Sequence, residues 1–173
     1  MDVSEAIRTR RSVRRYTEAG VGHNVLRKLV EAGCWAPTAG NAQTWRFVVV
    51  TDGERMRKLR MVAPGFSGRA PAAIAVCQDM REAERHWGAE TSQLAAMDSA
   101  MAALNIMLEA QSEGLGTCVV ASFNGQALQR LLRLPEHVVP LLLVAVGNAK
   151  ARPTAPPRDI DAVCSFEEYR ERR

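Results

Sequence analysis

The segment ETSQLAAMDSAMAALNIMLEAQSE, residues 90–113, carries most of the information about the architecture of this chain. Its apolar residues recur at helical spacing, which predicts one helix about 36 Å long at about 1.5 Å per residue. These apolar residues occupy more than one face, which is typical of a helix that is buried on nearly all sides. They are Leu94, Met97, Met101, Leu104, Ile106, Met107 and Leu108.

A chain of 173 residues has little material with which to surround such a helix. A second copy of the chain is the simplest cover, so the segment predicts a homodimer that packs through this helix. The alternative left open by the sequence is a monomer in which the helix lies at the centre of the core.

Shorter elements are predicted on both sides of the long helix. A first helix begins at a capping box formed by Asp2 and Glu5, and Val3 and Ile7 lie one turn apart on its expected buried face. Strands and helices together indicate the α+β class, with a mostly antiparallel sheet of four strands flanked by helices in a single domain over residues 1–173. The remaining predicted helices are 24–35, 54–62 and 128–134, and the predicted strands are 46–51, 71–77, 117–121 and 138–146.

Composition excludes several functional classes. The net charge is only +4, and aromatic residues make up 5%, so neither a nucleic-acid partner nor a base-stacking platform is indicated. The apolar run at residues 100–108 is too short to span a bilayer, so no membrane partner is expected. The chain is charged from Asp2 onward, which predicts no signal peptide and a cytoplasmic location.

The four cysteines are far apart in the sequence and form no C-x-x-C pair. Two of them lie inside apolar runs. We therefore expect buried thiols in a reducing cytoplasm rather than disulfides or a metal site. They are Cys34, Cys77, Cys118 and Cys164.

A basic segment, RRSVR at residues 10–14, is the first candidate binding motif. Extended backbone sends alternate side chains to one face, so Arg10, Ser12 and Arg14 would converge. Two guanidinium groups with a hydroxyl between them match the geometry of a phosphate. The alternatives are a solvated basic surface or a nucleic-acid-binding module that uses residues 8–15 and holds no coloured cofactor.

A second candidate is the segment APTAGNAQTW at residues 36–45, which joins a predicted helix to a strand. Asn41 and Gln43 carry amides that can both donate and accept hydrogen bonds. Their small neighbours would allow a planar ligand to approach closely. The alternative is an ordinary structural turn.

These two segments, in this order, resemble the nitroreductase superfamily of flavoproteins. In that family, the signature at the N-terminus resembles R-R-S-x-R and is followed by a segment that resembles A-P-S-A-x-N-x-Q-P-W. Residues 98–110 and the Gly-Leu-Gly turn at 114–116 resemble the long dimer helix of the family and the turn that follows it. The strand that ends at Gly147 and the later Pro157-Arg158 resemble its C-terminal segment, so the resemblance covers nearly the whole chain.

The resemblance implies a nitroreductase-like sandwich that forms an intertwined homodimer and binds FMN without a covalent bond at the interface. It implies that the C-terminal arm, residues 151–164, supplies a fifth strand to the partner. Arg10, Ser12 and Arg14 would hold the phosphate and the polar edge of the flavin, Arg11 would make backbone contacts or lean towards the ribityl chain, and a late arginine would close on the phosphate. The segment 37–43 would reach the flavin from the other protomer, and two backbone amides would lie near the ring. The residues assigned to the cofactor are Arg10, Arg11, Ser12, Arg14, Pro37, Thr38, Ala39, Asn41, Gln43, Ala121, Ser122 and Arg158.

The activity implied is that of an FMN-dependent NAD(P)H oxidoreductase. It would reduce nitroaromatics, quinones or similar conjugated acceptors by a ping-pong mechanism. The flavin N5 carries the chemistry, so no catalytic side chain is expected. His23, His86 and His137 show no metal-ligand spacing, so no metal is expected either. The alternatives are dehalogenation, flavin fragmentation or azoline dehydrogenation on the same scaffold, or a non-catalytic protein that binds or stores FMN.

Departures from the family pattern concern the loops. Thr38 replaces the usual Ser and keeps the hydroxyl, whereas Thr44 replaces the usual Pro and predicts a less rigid loop. Residues 66–69 match the family poorly. The chain lacks the long insertion of larger relatives, so the charged segment 81–88 is the expected substitute for a substrate lid.

Overall fold

The computed structural model describes residues 1–66, 68–156 and 158–170. All the predicted helices and strands are present, and their ends differ from the predicted ones by at most three residues, whereas the helix at residues 80–87 was not predicted. The helices are α1 (Val3–Thr9), α2 (His23–Cys34), α3 (Gly53–Val62), α4 (Met80–Trp87), α5 (Thr91–Ser112) and α6 (Gly125–Leu132), and the strands are β1 (Trp45–Val50), β2 (Ala72–Asp79), β3 (Gly116–Val120) and β4 (Val138–Gly147).

The strands form one sheet in the order β1-β2-β4-β3, and each neighbouring pair is antiparallel. This confirms the prediction of an α+β protein with an antiparallel sheet of four strands. Helices cover both faces of the sheet, so the central strand β2 is an almost continuous apolar run rather than an alternating one.

Alternate residues of β2 belong to two separate cores. Ala73, Ala75 and Cys77 pack on the face covered by α3 and α6. Ile74 and Val76 pack on the opposite face, which α2 and α5 cover. The sheet therefore lies between two helical layers, as the side-chain period of a strand requires.

Helix α5 is less enclosed within one chain than its composition predicts. Its fully buried apolar residues are mainly alanines and Ile106, whereas Met97 and Leu104 are 52% and 45% exposed. These two residues are seven positions apart and share one face with Met101 and Leu108. A single protomer therefore leaves an apolar face of its longest helix uncovered.

The prediction for α1 was wrong on one point. Asp2 caps the helix as expected, since its carboxylate accepts a hydrogen bond from the Glu5 N–H at 2.8 Å. However, Val3 and Ile7 are exposed, and Ala6 is the buried residue of this helix. The reason is that a seven-residue helix touches its own chain along one narrow stripe.

The cysteine prediction was partly wrong. Cys77 and Cys118 are buried as expected, but Cys34 at the end of α2 is exposed and Cys164 is half-buried. Burial raises the pKa of the Cys77 thiol to about 12, so this thiol stays protonated and unreactive. Residues 151–156 and 158–170 contain no helix or strand, and a fifth strand supplied to a partner stays a prediction.

Candidate functional site

Val13 anchors the basic segment to the sheet. Its N–H donates to the Thr117 carbonyl at 2.8 Å, and its fully buried side chain packs on Gly116, where an added Cβ would lie 2.8 Å from Val13 Cγ2. Ser12 pairs with Thr117 in a parallel bridge. Because Val13 points into the core, its neighbours Ser12 and Arg14 point away from it.

Tyr16 joins the basic segment to the chain that follows β4. It forms an antiparallel bridge with Ala149, and the Lys150 N–H donates to the Arg15 carbonyl at 2.9 Å. The Tyr16 hydroxyl donates to the Val13 carbonyl at 2.6 Å. Burial, assisted by Cys118 and opposed by Arg14, raises the pKa of Tyr16, so its hydroxyl remains a neutral donor. Two distant parts of the chain are thereby fixed side by side.

A cavity of about 260 Å³ lies where these two parts meet. We call it the basic cavity, because three of its six lining residues are arginines and a fourth is Ser12. Such a donor set suits an anion with several oxygens, and a phosphate above all. The lining residues are Ser12, Arg14, Arg15, Ala151, Arg152 and Pro153.

Arg152 is a cavity residue that the sequence did not reveal. Its Nη1 donates to Gln111 Oε1 at 2.5 Å, and its Nη2 donates to the Gly114 and Leu115 carbonyls at 2.9 and 3.3 Å. These bonds fix the guanidinium at the C-terminal end of α5. No motif in the sequence points to Arg152, and the pairing of residues 15–17 with 148–150 brings it to the basic cavity.

The other predicted arginines lie elsewhere. Arg10 follows the end of α1, where its N–H donates to the Ala6 carbonyl, and it does not line the basic cavity. Arg11 folds back, and its Nη1 donates to the Arg8 and Arg10 carbonyls at 2.7 and 2.8 Å. Of the three side chains that were expected to converge, Arg10, Ser12 and Arg14, only Ser12 and Arg14 therefore line the basic cavity. Arg158 is exposed in the C-terminal arm.

A glycine-containing loop connects the basic cavity to Ser122. The Gly65 N–H donates to the Ser122 carbonyl at 3.2 Å. Gly68, with a φ of +79°, packs directly against the carbonyl of Arg14. Ala121 and Ser122 are both exposed, so their backbone is accessible on this side of the molecule. Ser67 lies outside the described residues.

The remaining predicted residues form a second group, which we call the amide loop, residues 37–44. Pro37, Asn41 and Gln43 are exposed, and Thr38 and Ala39 are half-buried. Gln43 donates through its N–H to Thr38 Oγ1 at 3.3 Å and through its side chain to Asn41 Oδ1 at 2.8 Å. These hydrogen bonds do not connect the amide loop to the basic cavity of the same chain.

The described residues contain no cluster of three or more histidine, cysteine, aspartate or glutamate side chains that could hold a metal ion. Among the three histidines, His137 contacts other charged or polar side chains: its Nε2 atom lies 2.7 Å from Arg81 Nη2 and 3.8 Å from Asp79 Oδ2. In the described part of the chain, no helix combines the length and apolarity needed to cross a bilayer.

An antiparallel sheet between helical layers, with a cavity lined by three arginine residues at the junction of distant segments, defines the class: an α+β protein suited to a phosphate-bearing ligand. The model of the nitroreductase family matches residues 7–63 and 62–148. A putative NADH dehydrogenase/NAD(P)H nitroreductase of Methanothermobacter thermautotrophicus is 32% identical over 161 residues, which cover 88% of this chain and 80% of the relative.

Solved structures agree with the sequence comparison. A nitroreductase family protein of Clostridium difficile superposes with a TM-score of 0.85 at 27% identity, over 98% of this chain and 100% of that one. The NADPH:FMN oxidoreductase of Vibrio harveyi, solved with NAD+, gives a TM-score of 0.84 at 25% identity, over 98% and 78% of the two chains. The chain belongs to the nitroreductase family, and it is a flavin-dependent oxidoreductase.

Proposed function

We propose that the chain binds FMN and transfers electrons from NAD(P)H to a nitroaromatic, a quinone or a similar conjugated acceptor, as a cytoplasmic homodimer. The observation that carries this proposal is the basic cavity, in which Arg14 and Arg152 come together from distant parts of the sequence. Relatives named FMN reductase and NADPH-flavin oxidoreductase support the choice of FMN.

The side chains of the basic cavity fit the phosphate of FMN. A phosphate ester carries about −1.5 to −2 charges near neutral pH, and guanidinium groups bind its oxygens with paired, charge-assisted hydrogen bonds. The Ser12 hydroxyl can add a neutral donor. Arg10 and Arg158, which the sequence also assigns to the phosphate, would have to approach the cavity by a change of conformation or from a partner.

The basic cavity accommodates only part of a cofactor. Its 260 Å³ is below the range of about 300–1,000 Å³ that is usual for small-molecule sites. The flavin ring therefore needs further walls, for which we propose the backbone of Ala121 and Ser122 and the amide loop of a second protomer. A second protomer would also cover Met97 and Leu104, the exposed apolar residues of α5.

Bound FMN would supply the redox chemistry at its N5 atom, so the chain itself needs no nucleophile. The side chains hold the cofactor, place positive charge beside it and exclude water from the reacting face. We propose ping-pong kinetics, in which NAD(P)H is oxidised and its product leaves before the acceptor binds. Residues 81–87 of the expected lid segment 81–88 lie in helix α4, and the Trp87 indole N–H donates to the Ala39 carbonyl of the amide loop at 3.2 Å.

Absorbance spectroscopy of the purified protein tests the cofactor. Flavin bands, with FMN released on denaturation, are expected. Protein that is colourless and does not take up added FMN would overturn the proposal. Steady oxidation of NADH or NADPH that depends on an added quinone or nitroaromatic, with parallel double-reciprocal plots, would establish turnover. Bound FMN without any such oxidation would favour a storage protein instead.

The variants Arg14→Ala and Arg57→Ala test the placement of the phosphate. Both remove one arginine charge, but Arg57 lies on α3 and contacts Met61 rather than the basic cavity. Loss of a charge-assisted contact of about 1.5–3 kcal/mol predicts FMN binding that is about ten- to a hundredfold weaker in Arg14→Ala only. Equal FMN affinity in the two variants would show that the basic cavity does not hold the phosphate.

A further inference from the structure

The backbone of the amide loop is held in an unfavourable conformation. Gly40, Asn41 and Gln43 have φ values of +58°, +55° and +51°, so two non-glycine residues lie in the left-handed region within a few positions. Such conformations persist only where the surroundings fix them, and they concentrate at functional sites. The contacts that fix this loop come from helices α4 and α5 and from strand β2.

The first anchor is Asp98, in the middle of α5. Its side chain is 1% exposed, and its two carboxylate oxygens accept from the Ala39 N–H at 3.2 and 3.3 Å. The Ala39 carbonyl accepts from the Trp87 indole N–H at 3.2 Å. Both polar groups of the Ala39 backbone are therefore held by side chains from neighbouring helices.

The second anchor is at the other end of the amide loop. The Thr44 hydroxyl donates to Gln78 Oε1 at 2.5 Å, and Gln78 Nε2 donates to Ser99 Oγ at 3.0 Å. All three side chains are fully buried. The Thr44 carbonyl also accepts from the Asp79 N–H at 2.9 Å. The loop is therefore anchored at the position where the family usually has Pro, contrary to the expectation of a less rigid loop.

Both anchors end on consecutive residues of one helix. Asp98 and Ser99 are the buried polar residues in the middle of α5, whose neighbours Met97 and Met101 lie on the face left uncovered by the protomer. Burying a carboxylate and several hydrogen-bonding groups costs free energy, whereas apolar residues at these positions would not carry that cost. Burial also raises the pKa of Asp98, although the Ala39 N–H opposes this. A stable core alone does not require this arrangement.

We propose that Asp98 and the hydrogen-bonded chain Thr44–Gln78–Ser99 are positioning residues that hold the amide loop in the conformation that presents Asn41 and Gln43 to the flavin. The same helix carries the apolar face that we expect to meet the partner, so dimer contact and loop placement depend on one rigid element. This inference rests on the proposed function, because it assumes that the amide loop contacts FMN.

Paired variants test each anchor. Asp98→Leu removes the acceptor for the Ala39 N–H, whereas Asp98→Asn keeps an acceptor oxygen. Thr44→Val removes the hydroxyl, whereas Thr44→Ser keeps it. Leu128→Ala is the control, because it opens a cavity in the core on the other face of the sheet and lowers stability without contact to the loop. Each folded variant is titrated with FMN, and its flavin midpoint potential is measured.

We expect FMN binding that is about tenfold weaker, together with a shifted midpoint potential, in Asp98→Leu and Thr44→Val. Asp98→Asn and Thr44→Ser should recover most of both properties, and Leu128→Ala should change neither. If Asp98→Leu does not fold, the Thr44 pair decides.

Wild-type affinity and potential in Thr44→Val would overturn the proposal, as would no recovery in the conservative variants. Failure of the wild-type protein to bind FMN would be a separate result that overturns the proposed function as well.

Discussion

Gly68 and Arg14 are in direct backbone contact. A Cβ atom on Gly68 would overlap the carbonyl oxygen of Arg14, and the φ of Gly68 is +79°, in the region that only glycine adopts readily. The backbone at Gly68 can therefore lie this close to the basic segment only with glycine at this position. Arg14 also lines the basic cavity. The contact with Gly68 therefore helps to fix the backbone position from which the Arg14 side chain extends.

Gly68→Ala is expected to destabilise the protein by about 1–3 kcal/mol, because it combines a strained φ with a collision against the backbone. It should also weaken FMN binding, since the loop or the Arg14 backbone must move. Thermal unfolding and FMN titration measure the two effects. The matched control is Gly20→Ala, because nothing lies within 4 Å of a Cβ at Gly20. Equal melting temperatures and FMN affinities in the two variants would contradict the prediction.

The exposed face of α5 gives a prediction about assembly. Leu104 is 45% exposed on that face, and Trp35, 81% exposed, lies with Leu108 on the wall of a neighbouring cavity of about 610 Å³. We expect the wild-type protein to sediment as a dimer. A charge at Leu104 would have to be desolvated in the interface, so Leu104→Glu should weaken the dimer by at least about tenfold.

Met61→Glu is the control for this experiment. Met61 is 73% exposed on α3, on the opposite side of the sheet from α5. Analytical ultracentrifugation over a range of concentrations measures dimerisation of both variants. Wild-type protein that is monomeric throughout, or a Leu104→Glu dimer as tight as that of Met61→Glu, would refute the assembly that we propose.

The sequence predicted the elements well because each one carries a local signal. The Asp2 cap, the run of apolar residues in β2 and the glycines after α5 all act over a few residues. Burial was predicted less well. Val3 and Ile7 have the spacing of a buried stripe, but their periodicity does not reveal whether the covering surface belongs to the same chain.

The candidate site shows the same limit. The motif at residues 10–14 identified Ser12 and Arg14, but alternation alone also placed Arg10 on that face, because it does not show that α1 extends to Thr9. Arg152 could not be predicted, since its place depends on a pairing between residues more than a hundred positions apart. Thr44 was expected to loosen its loop, and the buried partners that hold it, Gln78 and Ser99, are distant in sequence.

Asp79 links the end of β2 to the start of α4 and to the side chains of Arg46 and His137. Its Oδ1 accepts from the Glu82 N–H at 3.1 Å and so caps α4. Its Oδ2 lies 3.6 Å from Arg46 Nη2 and 3.8 Å from His137 Nε2. Burial acts to raise the pKa of this carboxyl, but the Glu82 N–H together with His137, Arg46 and Arg81 outweighs it, so the pKa is lowered.

This lowered pKa predicts how stability depends on pH. A carboxyl with a lower pKa in the folded state contributes stability above its unfolded pKa of about 3.9, and the contribution disappears as the pH falls through the folded value. Asp79→Asn keeps a good helix cap but removes the charge. It should lower the free energy of unfolding by about 1 kcal/mol or less near pH 7. Urea unfolding at a series of pH values should show the two proteins converging towards about pH 2, whereas a constant difference would mean that the charge of Asp79 contributes nothing.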